Sequence, residues 1–174
     1  MRLYTIQKQV VLDTIMKDEV AYPNDMIMYD GARYAYDWMA EKMTLIIGEE
    51  NRKSKYPFWA FDSKNNFVIS DNGLNDVLLV LEVPEKDVLL SEFQRWHLVL
   101  NESSKIYYDN DNRYDSSKRI KRRYDRIFKK GRDDCWQACF WYINKEMIIE
   151  ATTVKDIPNL VRDEETEAWY IKAL

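Results

Sequence analysis

The stretch Val77-Leu78-Leu79-Val80-Leu81-Glu82-Val83, stopped by Pro84, decides the fold class. A Val- and Leu-rich run of this length, ended by a residue that cannot donate to a ladder, predicts a central β-strand. Upstream of it, Leu3–Ile6 reads as a short strand. Gln7–Met16 reads as an amphipathic helix with Val10, Val11, Thr14 and Ile15 at helical spacing. Ala21–Asn24 is a turn, and Met26–Tyr29 a short strand. Asp30 is placed to cap a helix over Ala32–Ile47 that Gly48 closes, with Ala35, Trp38, Met39, Met43 and Ile46 or Ile47 facing inward. Glu49–Lys55 is a charged loop. Tyr56–Phe61 and Phe67–Ser70 flank Asp62–Asn66 in the pattern of a hairpin. Downstream, Val88–Leu90 continues the central strand, and Ser91 followed by Glu92 opens a helix to about Leu100. Asn101–Asn112 reads as a mobile surface loop. Ser116 or Ser117 caps a basic helix that ends near Gly131. Trp136–Ile143 is an aromatic-rich strand, Asn144–Glu146 a turn into Met147–Val154, and Asp163–Leu174 a closing helix that is acidic and then apolar. Strands and helices are intermixed with hairpin-like neighbours. The prediction is one α+β domain over residues 1–174, built on a mainly antiparallel sheet.

Composition excludes several classes. At 174 residues, 46% hydrophobic and 32% charged, the chain has the make-up of one globular domain. Its uninterrupted apolar runs, such as Val77–Leu81, fall far short of the roughly 20 residues of a spanning helix. The opening Met1–Gln9 turns polar too early for a signal peptide, so a cytoplasmic protein is expected. Cys135 and Cys139 are too few for a disulfide framework or a zinc site, and His97 is the only histidine, so no metal and no cofactor are expected. On a strand those cysteines would stand about 13 Å apart, beyond disulfide reach. The Gly-rich phosphate loop, the G-x-S-x-G elbow and H-E-x-x-H are all missing.

Charge is strongly segregated. Arg113–Arg132 holds ten basic residues against Asp115 and Asp125, a net of +8, while the other 154 residues carry 16 basic and 28 acidic side chains, a net of −12. On a helical wheel Ile120, Tyr124, Ile127 and Phe128 fall on one arc. Lys118, Arg119, Arg122, Arg123, Arg126, Lys129 and Lys130 fill the opposite one. One face can pack on a sheet while seven cations face outward, an arrangement suited to a phosphate backbone. No base-reading motif accompanies it, so shape and backbone of a structured RNA or duplex would be read. The plainer reading is a solvated helix neutralised by the acidic remainder. An acidic protein surface is a further partner class.

Two side chains are candidates for proton transfer. His97, in Phe93-Gln94-Arg95-Trp96-His97-Leu98, titrates near neutrality and could act as base or acid in RNA cleavage; as a helical residue beside Trp96 it could equally be a satisfied, partly buried histidine. Glu82 falls on the face of Leu78 and Val80, where a carboxylate either leaves the sheet's end or is paired. Twelve Tyr, six Trp and six Phe are dense enough that one strand face could stack bases, although an aromatic core accounts for them too.

Leu3-Tyr4-Thr5-Ile6-Gln7, Tyr56-Pro57-Phe58-Trp59-Ala60, Leu79–Leu90, the Trp96-His97 pair and Trp136–Trp141, in that order, resemble a family of small bacterial and phage proteins known as a domain of unknown function. The resemblance implies a role in phage and mobile-element conflict with a host, a setting in which small proteins inhibit guide-RNA-dependent nucleases (anti-CRISPR proteins). A weaker likeness is to ADP-ribosyltransferase-like folds. It implies an NAD-binding cleft near the Tyr4 and Gln137 strands and a catalytic Glu on a late strand, where this chain has Gln137-Ala138-Cys139. The expectation is therefore a protein of the host cytoplasm that engages RNA or a guide-RNA–protein complex through Arg119, Arg122, Arg126 and Lys129. The alternatives are an NAD-using enzyme and an inhibitor that binds only protein.

Overall fold

Alternation in the first segment sends Leu3 and Thr5 to one side and Tyr4 and Ile6 to the other, which a strand covered on both faces requires. It forms β1 (Arg2–Gln7), followed by α1 (Gln9–Asp18), β2 (Val20–Ala21), α2 (Arg33–Ile46), β3 (Phe58–Phe61), β4 (Val77–Glu82), β5 (Leu89–Glu92), α3 (Phe93–Asp109), β6 (Trp136–Phe140), β7 (Ile143–Asn144), β8 (Ile148–Thr153), β9 (Leu160–Asp163) and β10 (Ala168–Ile171). The computed structural model describes residues 1–24, 30–109, 124–128 and 135–172; the side chains of Asp30 and of residues 102–109 lie outside that description.

Six strands form one antiparallel sheet in the order β5-β6-β3-β1-β4-β8. β4 lies between β1 and β8, with Leu3 opposite Leu81 and Tyr4 opposite Val80. Two-stranded pairs β2–β7 and β9–β10 complete the α+β fold.

The sheet buries both faces. Leu3, Phe58, Ala60, Leu79, Leu81 and Phe140 form one core with Ile15 of α1. The other face is divided between two covers. Over β5, β6 and β3, Leu89, Cys139 and Trp59 pack with Trp38, Met39 and Met43 of α2 and Trp96 of α3. Over β1 and β4, Tyr4, Ile6 and Leu78 pack with Ile157, Trp169 and Ile171.

Several expectations are corrected. In α1, Ile15, Val11 and Leu12 face the core while Val10 is exposed, because the buried arc runs from Val11 through Ile15 to Leu12 and Val10 lies off its outer side. Asp30–Ala32 is a 3-10 turn, and the residue at the cap of α2 is Ala32. Ile47 packs inward and Ile46 is exposed. Phe67–Ser70 makes no hairpin with β3: β1 and β6 occupy both of that strand's edges, leaving only an Ile69–Trp169 bridge. Val88–Leu90 does not extend β4. The chain crosses the sheet, and β5 pairs with β6 at the far edge. Helix α3 runs through Asp109, so residues 101–109 are helical where a loop is expected. Asp163–Leu174 gives no closing helix; its strands β9 and β10 pair around an Asp163 turn. The segment Met26–Tyr29 lies outside the described residues.

Candidate functional site

The cationic segment is described at residues 124–128 only. Lys118, Arg119, Arg122, Arg123, Lys129 and Lys130 lie outside the described residues, as do Ile120 and the Ser116/Ser117 cap. Where the segment is described, Tyr124 is α-helical as expected, and Asp125–Phe128 is a 3-10 turn where the helix is expected to continue. Tyr124 and Ile127, three residues apart, are both buried, at 3% and 2% exposure. Tyr124 meets the Trp38 ring edge-on at 5.2 Å and Phe128 stacks on it at 5.6 Å. Arg126 points the other way and is exposed.

Polar contacts fix this turn from two helices. From α2, Lys42 Nζ lies 2.5 Å from Asp125 Oδ1. From α3, Arg95 Nη1 donates to the Arg126 carbonyl oxygen at 2.8 Å. Arg95 is itself held by Glu92, with Nε 3.1 Å from Oε2. The Glu92 carboxylate is 2% exposed, and it accepts the backbone N–H groups of Gln94 and Arg95 at 3.0 and 3.2 Å, capping α3. Ser91, the expected cap, instead receives the Gln137 side-chain amide at 3.0 Å, buried between β5 and β6. The E-x-x-R spacing Glu92–Arg95 was the available signal for this clamp. Its target carbonyl, 31 residues downstream, had none.

The two proton-transfer candidates are not brought together. His97 is exposed on α3, not partly buried, with Nδ1 3.0 Å from the Phe93 carbonyl oxygen and its ring edge-on to Phe93. If Nδ1 carries the proton it donates there, leaving Nε2 as the acceptor. Glu82 emerges at the end of β4, exposed, 3.1 Å from the Met1 ammonium. Among the described residues no hydrogen bond or ion pair joins them. On β6, where the transferase likeness implies a carboxylate, Gln137 and Cys139 are both buried. Burial alone pushes the Cys139 thiol well above its usual range, which keeps it neutral. Neither cysteine is in a disulfide.

Among the described residues, one group of aromatics packs in the core between α2, α3 and β3. Tyr36 of α2, Trp96 of α3 and Trp59 of β3 meet one another at 4.8 to 5.7 Å. Among the described residues, no group of three or more His, Cys, Asp or Glu side chains could hold a metal ion, and no helix is long and apolar enough to cross a membrane.

The family model described as a domain of unknown function, DUF3841, matches residues 2–117. The chain belongs to the DUF3841 family. No curated protein and no solved structure matches it. The DUF3841 match takes in β1 to β5 and α1 to α3, and with them Glu82, the Glu92–Arg95 clamp and His97. It ends inside the cationic segment, before Lys118. Most of the basic stretch, and the strands from β6 onward, lie beyond the DUF3841 match.

Proposed function

We propose that this protein binds structured RNA, free or within a ribonucleoprotein, through the cationic segment Arg113–Arg132. The observation that carries the reading is the seating of residues 124–128. Tyr124 and Ile127 are sunk against Trp38, Arg126 is exposed, and the turn is tied to α2 and α3. A segment of net +8 on a molecule whose remainder is −12 concentrates its attraction for polyanions at one place. Arg119, Arg122, Arg126 and Lys129 are the side chains assigned to phosphates. Arginine's planar fork supplies bidentate contacts. With no base-reading motif in the chain, recognition is of backbone and shape.

The mode of action on this reading is masking, or promotion of cleavage with His97 as the proton carrier. That the target is a host guide-RNA–protein complex rests on the phage and mobile-element setting that the sequence resemblance implies. Co-purification from a host tests it: recovery of such a complex supports it, and recovery of a nuclease-resistant protein partner alone replaces it with a protein-binding inhibitor.

The RNA reading is tested by anisotropy with a labelled hairpin. Four phosphate contacts give a log–log salt slope of about −3 to −4, so affinity falls on the order of a hundredfold between about 50 and 200 mM salt. The double variant Arg122→Glu/Arg126→Glu is expected to bind at least about tenfold more weakly, with a slope shallower by about two. A flat salt response, or unchanged affinity in the double variant, refutes the proposal.

A further inference from the structure

A second charged feature lies on the other half of the same sheet face. Between β1, β4 and β8 on one side and the β8–β9 connection on the other is a cleft of about 350 Å³. Leu78 and Val80 floor it, Ile157 closes one wall and the half-buried Tyr4 ring another. Arg2 enters from the first strand, and Lys64 from the 3-10 turn after β3. The pleat explains the grouping. Arg2 lies opposite Glu82, Tyr4 opposite Val80, and Val80 opposite Glu150, so these side chains share one face.

One carboxylate nearby is paired, and one lines the cleft with its charge intact. Glu82 lies against the Met1 ammonium, and Glu150 Oε1 accepts the Thr152 hydroxyl at 3.0 Å. Among the described residues neither Arg2 nor Lys64 has a side-chain hydrogen bond or ion pair. Two cations with no ion-pair partner among the described residues, against the single carboxylate of Glu150, thus stand at an apolar, tyrosine-walled hollow, and its size falls in the range of small-molecule sites, roughly 300 to 1,000 Å³. The concavity suits a compact ligand and not a duplex backbone. The floor asks for a flat apolar body that can lie along Tyr4, and the rim for a negative head group. We infer that this cleft binds a small organic anion, a planar apolar body carrying a phosphate or carboxylate, with Arg2 and Lys64 on the head group. It shares no residue with the Arg126 face, so this inference and the RNA reading can fail separately.

Calorimetry on the full chain tests it with adenosine 5′-monophosphate and 2-naphthoate as the phosphate and carboxylate probes, and adenosine as the uncharged control. The expected result is one-to-one saturable binding of at least one anionic probe, with adenosine at least about tenfold weaker. Arg2→Gln/Lys64→Gln should weaken the anion by about tenfold or more. Arg126→Glu should leave it unchanged. Which probe binds assigns the head group. Amide shifts on adding the probe should centre on Arg2, Tyr4, Thr152 and Asn159, a readout that holds even if the double variant does not fold. Failure of both anionic probes to saturate, equal binding of adenosine, full affinity in a folded double variant, or shifts centred elsewhere would overturn the inference.

Discussion

Glu92 shows how one side chain can do two jobs. Its carboxylate closes the first turn of α3 and holds Arg95, which in turn holds the backbone of the cationic segment. Glu92→Ala removes the cap and leaves two backbone donors and a guanidinium to find new partners. A cap alone is worth about 1 kcal/mol, and a buried charge-assisted bond about 1.5 to 3. At about 2 to 4 °C per kcal/mol for a chain of this size, the melting temperature is expected to fall by roughly 5 to 16 °C. Differential scanning calorimetry measures this; a loss under about 2 °C would mean that the clamp carries little. The cysteines give a second outcome. Cys139 is fully buried and its thiol is pushed up, while Cys135 is half-buried. In native protein at mildly alkaline pH, a thiol reagent should label at most Cys135, with Cys139 reacting only at the rate of unfolding. The sign of the pH effect follows. The unfolded chain releases this proton in the ordinary thiol range near ~8.5, and the folded chain only well above it. Stability from this site is therefore complete below that range and declines as pH rises through it. Rapid labelling of both thiols in folded protein would contradict this burial.

At the scale of elements, Gly48 ends α2 at φ +96°, and its carbonyl accepts the Trp141 indole N–H at 3.0 Å. Beyond its own chain neighbours, no atom lies within 4 Å of where its Cβ would be. Gly48→Ala therefore tests backbone conformation free of any clash, and about 1 kcal/mol of destabilisation is expected in chemical denaturation. No change would mean that the chain relaxes there. This glycine was legible in the sequence, as were β1, β4 and the inner face of α2, because each rests on a local period or punctuating residue. The misses were matters of pairing. The pattern at Phe67–Ser70 is strand-like, but whether it pairs depends on which edges of β3 stay open, and β1 and β6 take both. The closing segment alternates over only four residues, Ala168–Ile171. Its hairpin depends on Asp163, whose carboxylate accepts the Thr166 and Glu165 amides and is held below its usual range chiefly by Thr166. The end of α3 was missed because its polar composition favours a loop, although the described helix runs on to Asp109.

For the molecule as a whole, sign segregation is the property that the sequence states most directly, and the cleft at Arg2 is the one it hides. A charge count needs no fold, whereas Arg2, Lys64 and Glu150 meet only after β1 has paired with β4 and β4 with β8. The two covers of the sheet face also separate the charges in space: the Arg126 turn packs with α2 and α3, and the acidic β9–β10 turn stands beyond the opposite cover. Screening then decides how far that acidic end can be felt at the RNA site. The Debye length is about 8 Å near 0.15 M salt and about 30 Å near 0.01 M. Glu164→Gln/Glu165→Gln removes two exposed charges from the β9–β10 turn without touching the Asp163 acceptor. Binding of an RNA hairpin to this variant is expected to stay within about twofold of the parent near 0.15 M salt, and to strengthen severalfold near 0.01 M, where the repulsion is no longer screened. Anisotropy titrations at the two salt concentrations measure both. Equal strengthening at high and low salt would place those glutamates in contact with the RNA. No effect at either would show that the acidic remainder does not oppose binding, and that the +8 segment acts alone.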